Sequence, residues 1–145
     1  MKIHTARVEA IAKEVPALTS KTFVGRGHKG VDGSLVTPPL LVIYPADGID
    51  TQERLTGPSS TQHPRFTLHI AGTSYDQVAE VTGLLKAKFI DVDGYGIPPA
   101  IEGWATSDVT WSAPVPIQED TDVTPSVLYQ VIELGFDAEP VPSGE

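Results

Sequence analysis

Apolar positions along the chain repeat with two different periods. Val8, Ile11, Ala12 and Val15 stand at i, i+3, i+4 and i+7, a stripe about 100° wide that predicts a helix. Pro16 ends it, because proline has no N–H to offer the next turn. A short strand is expected around Lys21–Val24. After a glycine-dense loop that ends in Pro38-Pro39, the unbroken run Leu40–Tyr44 suits a central strand covered on both sides. Arg65–Ala71 then alternates, with Phe66, Leu68 and Ile70 on one face and Arg65, Thr67 and His69 on the other.

A second helix is predicted at about residues 75–90, with Val78, Val81, Leu85 and Phe89 as its buried stripe. Ser74 and Gln77 form a capping box, in which each side chain is expected to bond the other residue's backbone N–H. Asp76 near the start and Lys86 and Lys88 near the end suit the helix dipole. Beyond the turn region DVDGYGIPP, one long strand is expected with Val109, Trp111, Ala113, Val115 and Ile117 on a shared face. Pro114 and Pro116 lie on its other face and cannot donate ladder bonds, which marks an edge or a departure from the sheet. The last strand, Val127–Phe136, is apolar on both faces in part and so more central. This order predicts an α+β fold: a mixed, mostly antiparallel sheet of about four to five strands, with two helices packed on one face. Residues 1–138 are read as one domain and 139–145 as an extended tail.

Composition narrows the function classes. With 145 residues, 40% apolar and 20% charged, the chain can build one hydrophobic core. It has no cysteine, which excludes disulfides, thiolate zinc sites and a cysteine nucleophile. No apolar run approaches the roughly 20 residues of a membrane helix. The N-terminal segment is mixed rather than leader-like, so an intracellular product is expected. The net charge of −9 is unevenly spread. Residues 1–90 hold all ten Lys and Arg against eight acids, a local +2, while residues 91–145 hold eleven acids and no Lys or Arg, a local −11. Such an acidic field disfavours binding to nucleic acid or to anionic membranes.

Candidate chemistry is sparse. Gly25-x-Gly27-x-x-Gly30 matches a dinucleotide fingerprint in form, but Val31-Asp32-Gly33 and two prolines follow where a phosphate-binding helix must begin. His28 sits in that loop. His63 and His69 are six residues apart, about 20 Å along a strand, too far to share a metal. Asp91 and Asp93 open like a calcium loop, and Glu119, Asp120 and Asp122 read as a solvated acidic cluster. No P-loop, GxSxG elbow or HExxH occurs. The expectation is a non-enzyme with no cofactor, no metal and no catalytic residue. The polar stretch from Pro45 to His63 is long for a loop, and long loops tend to carry function or assembly contacts.

Three segments in order carry a resemblance: PPLLVIYPADG from Pro38, RLTGPSST over Arg54–Thr61, and FTLHIAGTSYDQ over Phe66–Gln77. They resemble tail terminator proteins of long-tailed bacteriophages, particularly those of actinobacterial hosts. In that family an early helix leads to a Tyr-Pro strand, here Tyr44-Pro45. An Arg-x-Ser/Thr-Gly-Pro loop follows, here Arg54 to Pro58, and then a Phe-x-x-His strand that ends ahead of a helix, here Phe66 to His69. The extended glycine loop between Gly25 and Gly33 is a departure from the pattern. The resemblance covers residues 38–137 and implies a virion structural protein without catalytic residues. It implies a homo-oligomer, a hexameric ring, that caps the tail tube, stops its polymerisation and faces the head-completion (stopper) protein. DNA would be only passing cargo in the lumen, and no membrane is involved. The implied location is the head-proximal end of the tail, after assembly in the host cytoplasm. Other neck or tube components, and a small ligand-binding protein, are the alternatives. Arg54, Gly57, Pro58 and Ser60 are the candidate assembly-interface loop. Glu119, Asp120 and Asp122 are candidate lumen or inter-subunit acids.

Overall fold

A computed structural model describes residues 2–25, 37–46, 61–121 and 127–141. The first helix, α1 (Lys2–Ala12), precedes a 3-10 turn at Pro16–Leu18 and strand β1 (Thr22–Val24). Strands β2 (Leu40–Ala46) and β3 (Arg65–Gly72) follow, then helix α2 (Tyr75–Phe89). The remaining strands are β4 (Trp104–Thr106), β5 (Thr110–Ser112), β6 (Gln118–Asp120), β7 (Val127–Gly135) and β8 (Ala138–Pro140). The class is α+β, as the hydrophobic periods predict.

Six strands form the main sheet in the order β1-β2-β3-β7-β5, with β6 also on β7. Among the described residues only the β1–β2 pair is parallel. The sheet is thus one strand larger than expected, and β4 with β8 adds a separate two-stranded sheet. The extra strand of the main sheet has a local cause. The long strand expected over residues 109–117 breaks at Pro114 and Pro116, because neither can donate to a ladder. It becomes two three-residue pieces, Thr110–Ser112 and Gln118–Asp120, at opposite ends of β7. The expected C-terminal tail also begins later: Glu139 and Pro140 belong to β8, paired with Ala105 and Trp104.

The β3 alternation is realised as read. Phe66, Leu68 and Ile70 are buried on the face that meets the helices, and His69 is half-buried on the other. Val8, Ile11, Ala12 and Val15 from the α1 segment join Val78, Val81, Leu85 and Phe89 of α2 against that face. Leu41, Ile43, Ile132 and Leu134 complete the floor of this core from β2 and β7. In β2 both alternations are buried from Leu40 to Ile43, which suits its place between β1 and β3.

Helix α2 starts with Ser74 in extended conformation, its hydroxyl accepting from Gln77 N–H at 3.2 Å. The return half of the capping box differs from expectation. Gln77 Oε1 accepts from Thr73 N–H at 2.7 Å and from the Thr73 hydroxyl at 3.1 Å, one residue earlier than the Ser74 N–H it was expected to reach. The cap therefore also fixes the turn by which β3 enters the helix.

Candidate functional site

Arg54, Gly57, Pro58 and Ser60 of the candidate interface loop lie outside the described residues, as do His28 and Asp122. Glu119 and Asp120 lie on β6 at the sheet margin, opposite Leu128 and Val127 of β7. Alternation sends them to opposite faces, with Glu119 exposed and Asp120 half-buried. They form no single acidic wall.

The histidines are dispersed, each with a different environment. His63 donates from Nδ1 to Asp137 Oδ1 at 2.8 Å, while its Nε2 is buried without a hydrogen-bond partner. Arg65 reaches the same carboxylate oxygen at 3.4 Å and also donates to the Phe136 carbonyl at 2.8 Å. The His63 hydrogen bond, helped by the charges of His63 and Arg65, holds the Asp137 carboxyl below its ordinary range. Asp137 is well exposed, so this pair ties the start of β3 to the start of β8 without adding much stability. His69 sits on the helix-free sheet face between Tyr44, 5.0 Å away edge-on, and Tyr129, 6.3 Å away and stacked. Burial there pushes its imidazole pKa down.

His4 was given no role by its sequence position, yet it is fully buried. Its ring stands edge-on to Trp104 at 4.7 Å and to Phe136 at 5.8 Å. Its Nε2 donates to Gln62 Oε1 at 2.8 Å, leaving Nδ1 buried and unpartnered. Loss of hydration lowers its pKa despite the opposing Gln62 bond. The signal was available: His4 precedes Val8 by four residues and so extends the predicted stripe by one turn. Among the described residues, no group of three or more His, Cys, Asp or Glu could hold a metal ion.

The turn after α2, expected from the sequence as a turn, carries an apolar exposure that no spacing signalled. Asp91 Oδ1 accepts from the backbone N–H groups of Asp93 and Tyr95, both at 2.9 Å. Asp91 N–H in turn bonds the Tyr95 carbonyl at 2.8 Å, and Ile97 N–H bonds Phe89 at 2.7 Å. Gly94 takes a positive φ of 89°, which favours glycine. Gly96 lies so close to Val109 that a Cβ there would fall 2.0 Å from the Val109 carbonyl oxygen. The result is a closed, hydrogen-bonded turn that exposes two large side chains beside Asp91 and Asp93: Val92 is fully exposed and Tyr95 is 69% exposed. Turns ordinarily show polar residues to water. Here the structure instead offers an ordered apolar tip beside two carboxylates.

No family model and no curated protein matches the chain. Eight solved chains do. One of them, whose name states no function, is 17% identical and superposes with a TM-score of 0.58 over 98% of this chain and 94% of its own length. Nearly the whole chain is thus similar in fold to a solved protein of nearly the same extent. That likeness is one of architecture.

Proposed function

We propose that the chain is a tail terminator of a long-tailed bacteriophage, a virion structural protein that forms a ring on the last ring of the tail tube. One observation carries this reading: three segments, from Pro38 through Gln77, match the family pattern in order and spacing. The observed placement of the first and third is compatible with it. Tyr44-Pro45 ends β2, and Phe66–His69 lies in β3 immediately before the α2 cap, as the resemblance requires. The action is geometric. A ring seated on the growing end of a tube removes the surface to which the next tube subunit would add, and it presents a different surface to a head-completion protein.

The reading assigns no reaction and no cofactor to the chain, and it takes the acidic stretch after residue 90 as a surface that does not retain passing DNA. The decisive measurement is stoichiometry with position in purified particles. Six copies at the head-proximal end of each tail are expected. Many copies along the tail would assign the chain to the tube instead, and absence from tails would end the proposal. The lumen assignment has its own test: part of the acidic stretch over residues 91–145 should line the axis of the assembled ring, and acids that all point outward would end it.

A further inference from the structure

Helix α1 has an unusual outer face. Its inner stripe is buried against the sheet, and its exposed described positions are Ile3, Ala6 and Ala10, at i, i+3 and i+7, Ile3 by 46%, with half-buried Glu9, paired to Lys13 at 3.3 Å, along one border. A surface helix normally turns charged residues to water, whereas these three exposed positions are uncharged. Arg7 borders this face one turn from Ile3, with Nε buried and no hydrogen-bond partner. The α2 turn has the complementary character: Val92 and Tyr95 exposed at a hydrogen-bonded tip, with Asp91 and Asp93 beside them. The same complementarity runs through the whole chain, since every Lys and Arg precedes residue 91 and the acidic excess follows it.

The two surfaces leave each other uncovered within one chain, as their exposure shows. Lys88 reaches Glu14 at 3.7 Å, so the turn leaves α2 at the C-terminal end of the α1 segment. Ile3 lies eleven residues back from Glu14, roughly 16 Å along a helix. We propose that the Asp91–Ile97 turn of one copy docks on the outer face of α1 of a second copy, with Val92 and Tyr95 on Ile3, Ala6 and Ala10 and the aspartates toward Arg7. This deepens the ring reading and rests on it, because it names the surfaces that join neighbouring subunits. Two different surfaces in contact make a head-to-tail interface, which closes into a ring when the rotation permits. The turn is already fixed by its own hydrogen bonds, so docking orders little that was not ordered before.

The test uses the full chain in solution, with mass measured across concentration by light scattering and sedimentation. The wild type is expected to associate. The turn variant Val92→Ser with Tyr95→Ser and the helix variant Ala6→Glu with Ala10→Glu should each weaken association about 10-fold or more. All four positions are exposed, so circular dichroism and the unfolding midpoint should be unchanged. Mixing the two variants should yield a heterodimer, because each supplies the surface the other lacks. A wild-type assembly that both variants retain would overturn the docking surfaces and leave the ring reading standing. Variants that stay monomeric when mixed would replace the head-to-tail contact by a symmetric one and overturn it too. A wild type that is monomeric at every concentration and missing from tails would overturn both.

Discussion

Helix α2 carries its own start signal, whereas the start of α1 is fixed by the rest of the molecule. The Ser74 hydroxyl and Gln77 side chain close the N-terminus of α2, and Asp76, Lys86 and Lys88 sit where the helix dipole favours them. Helix α1 has no acid in its first turn and no base in its last. Its first turn is held instead by His4, bonded to Gln62 and packed on Trp104 and Phe136, residues 58 to 132 positions away in sequence. Both helices cover the same sheet face, but one is specified locally and the other by long-range contacts. Short isolated helices are marginal in water, so α1 should form only once its distant partners are in place.

The largest expected effect tests what the two helices share. Leu85→Ala, in the core between α2 and the sheet, should cost about 2–5 kcal/mol, read as a lower denaturant midpoint at constant slope. An effect near zero would mean that α2 does not rest on this core.

Next comes the dependence of α1 on its buried histidine. Burial lowers the His4 pKa, so the unfolded chain binds the proton more readily than the folded one. The stability contributed by neutral His4 is therefore complete above its ordinary 6.5 and is lost progressively as the pH falls below that value. Protonation would place a donor on Nδ1, which has no acceptor. His69, also lowered by burial, adds a loss of the same sign. Denaturant midpoints measured from pH 7.5 to 5.5 should fall, and His4→Gln should flatten the slope while leaving the His69 part. An unchanged slope would show that His4 is not what anchors α1. Asp137 acts in a separate window. Its lowered pKa gives stability that is present above its ordinary 3.8 and lost as the pH falls below it.

Removing the local signal should matter less. Ser74→Ala is expected to cost about 1 kcal/mol, within the 0.5–2 kcal/mol typical of an N-cap, and amide exchange should rise most in the first turn of α2. If α1 loosened more than α2, the contrast between them would be misplaced. The smallest effect belongs to the ion pair that links the two helices. Glu14→Gln removes the Lys88 partner, at 3.7 Å between exposed side chains, and should change stability by less than about 0.5 kcal/mol.

The same contrast explains what was legible in the sequence. The α2 stripe and the β3 alternation were readable because each depends on neighbours within a few residues. Strands β4 and β8, three residues each and far apart in the chain, leave no such period. Their pairing is decided by where β7 and the α2 turn deliver them. The prolines at 114 and 116 correctly warned of a departure from the sheet but not that the chain would return as β6. At the candidate assembly surface, the exposed Val92 and Tyr95 looked like ordinary turn residues in sequence. Their significance depends on the Asp91 hydrogen bonds and on the fit of Gly96 against Val109, which no spacing rule conveys.

The detour at Pro114 and Pro116 also bears on aggregation. Because β5 covers only Glu133 to Gly135 and β6 only Val127 to Tyr129, the outer side of β7 has no strand partner over residues 130–132, where Gln130 Nε2 donates to the Val115 carbonyl at 3.3 Å. The described margins of the sheet are therefore three-residue pieces: β1 on one side, β5 and β6 on the other. None presents a long row of free amides and carbonyls onto which a foreign strand could anneal. A foreign strand arriving at any of these margins would find at most three residues to pair with, too few for a lasting ladder.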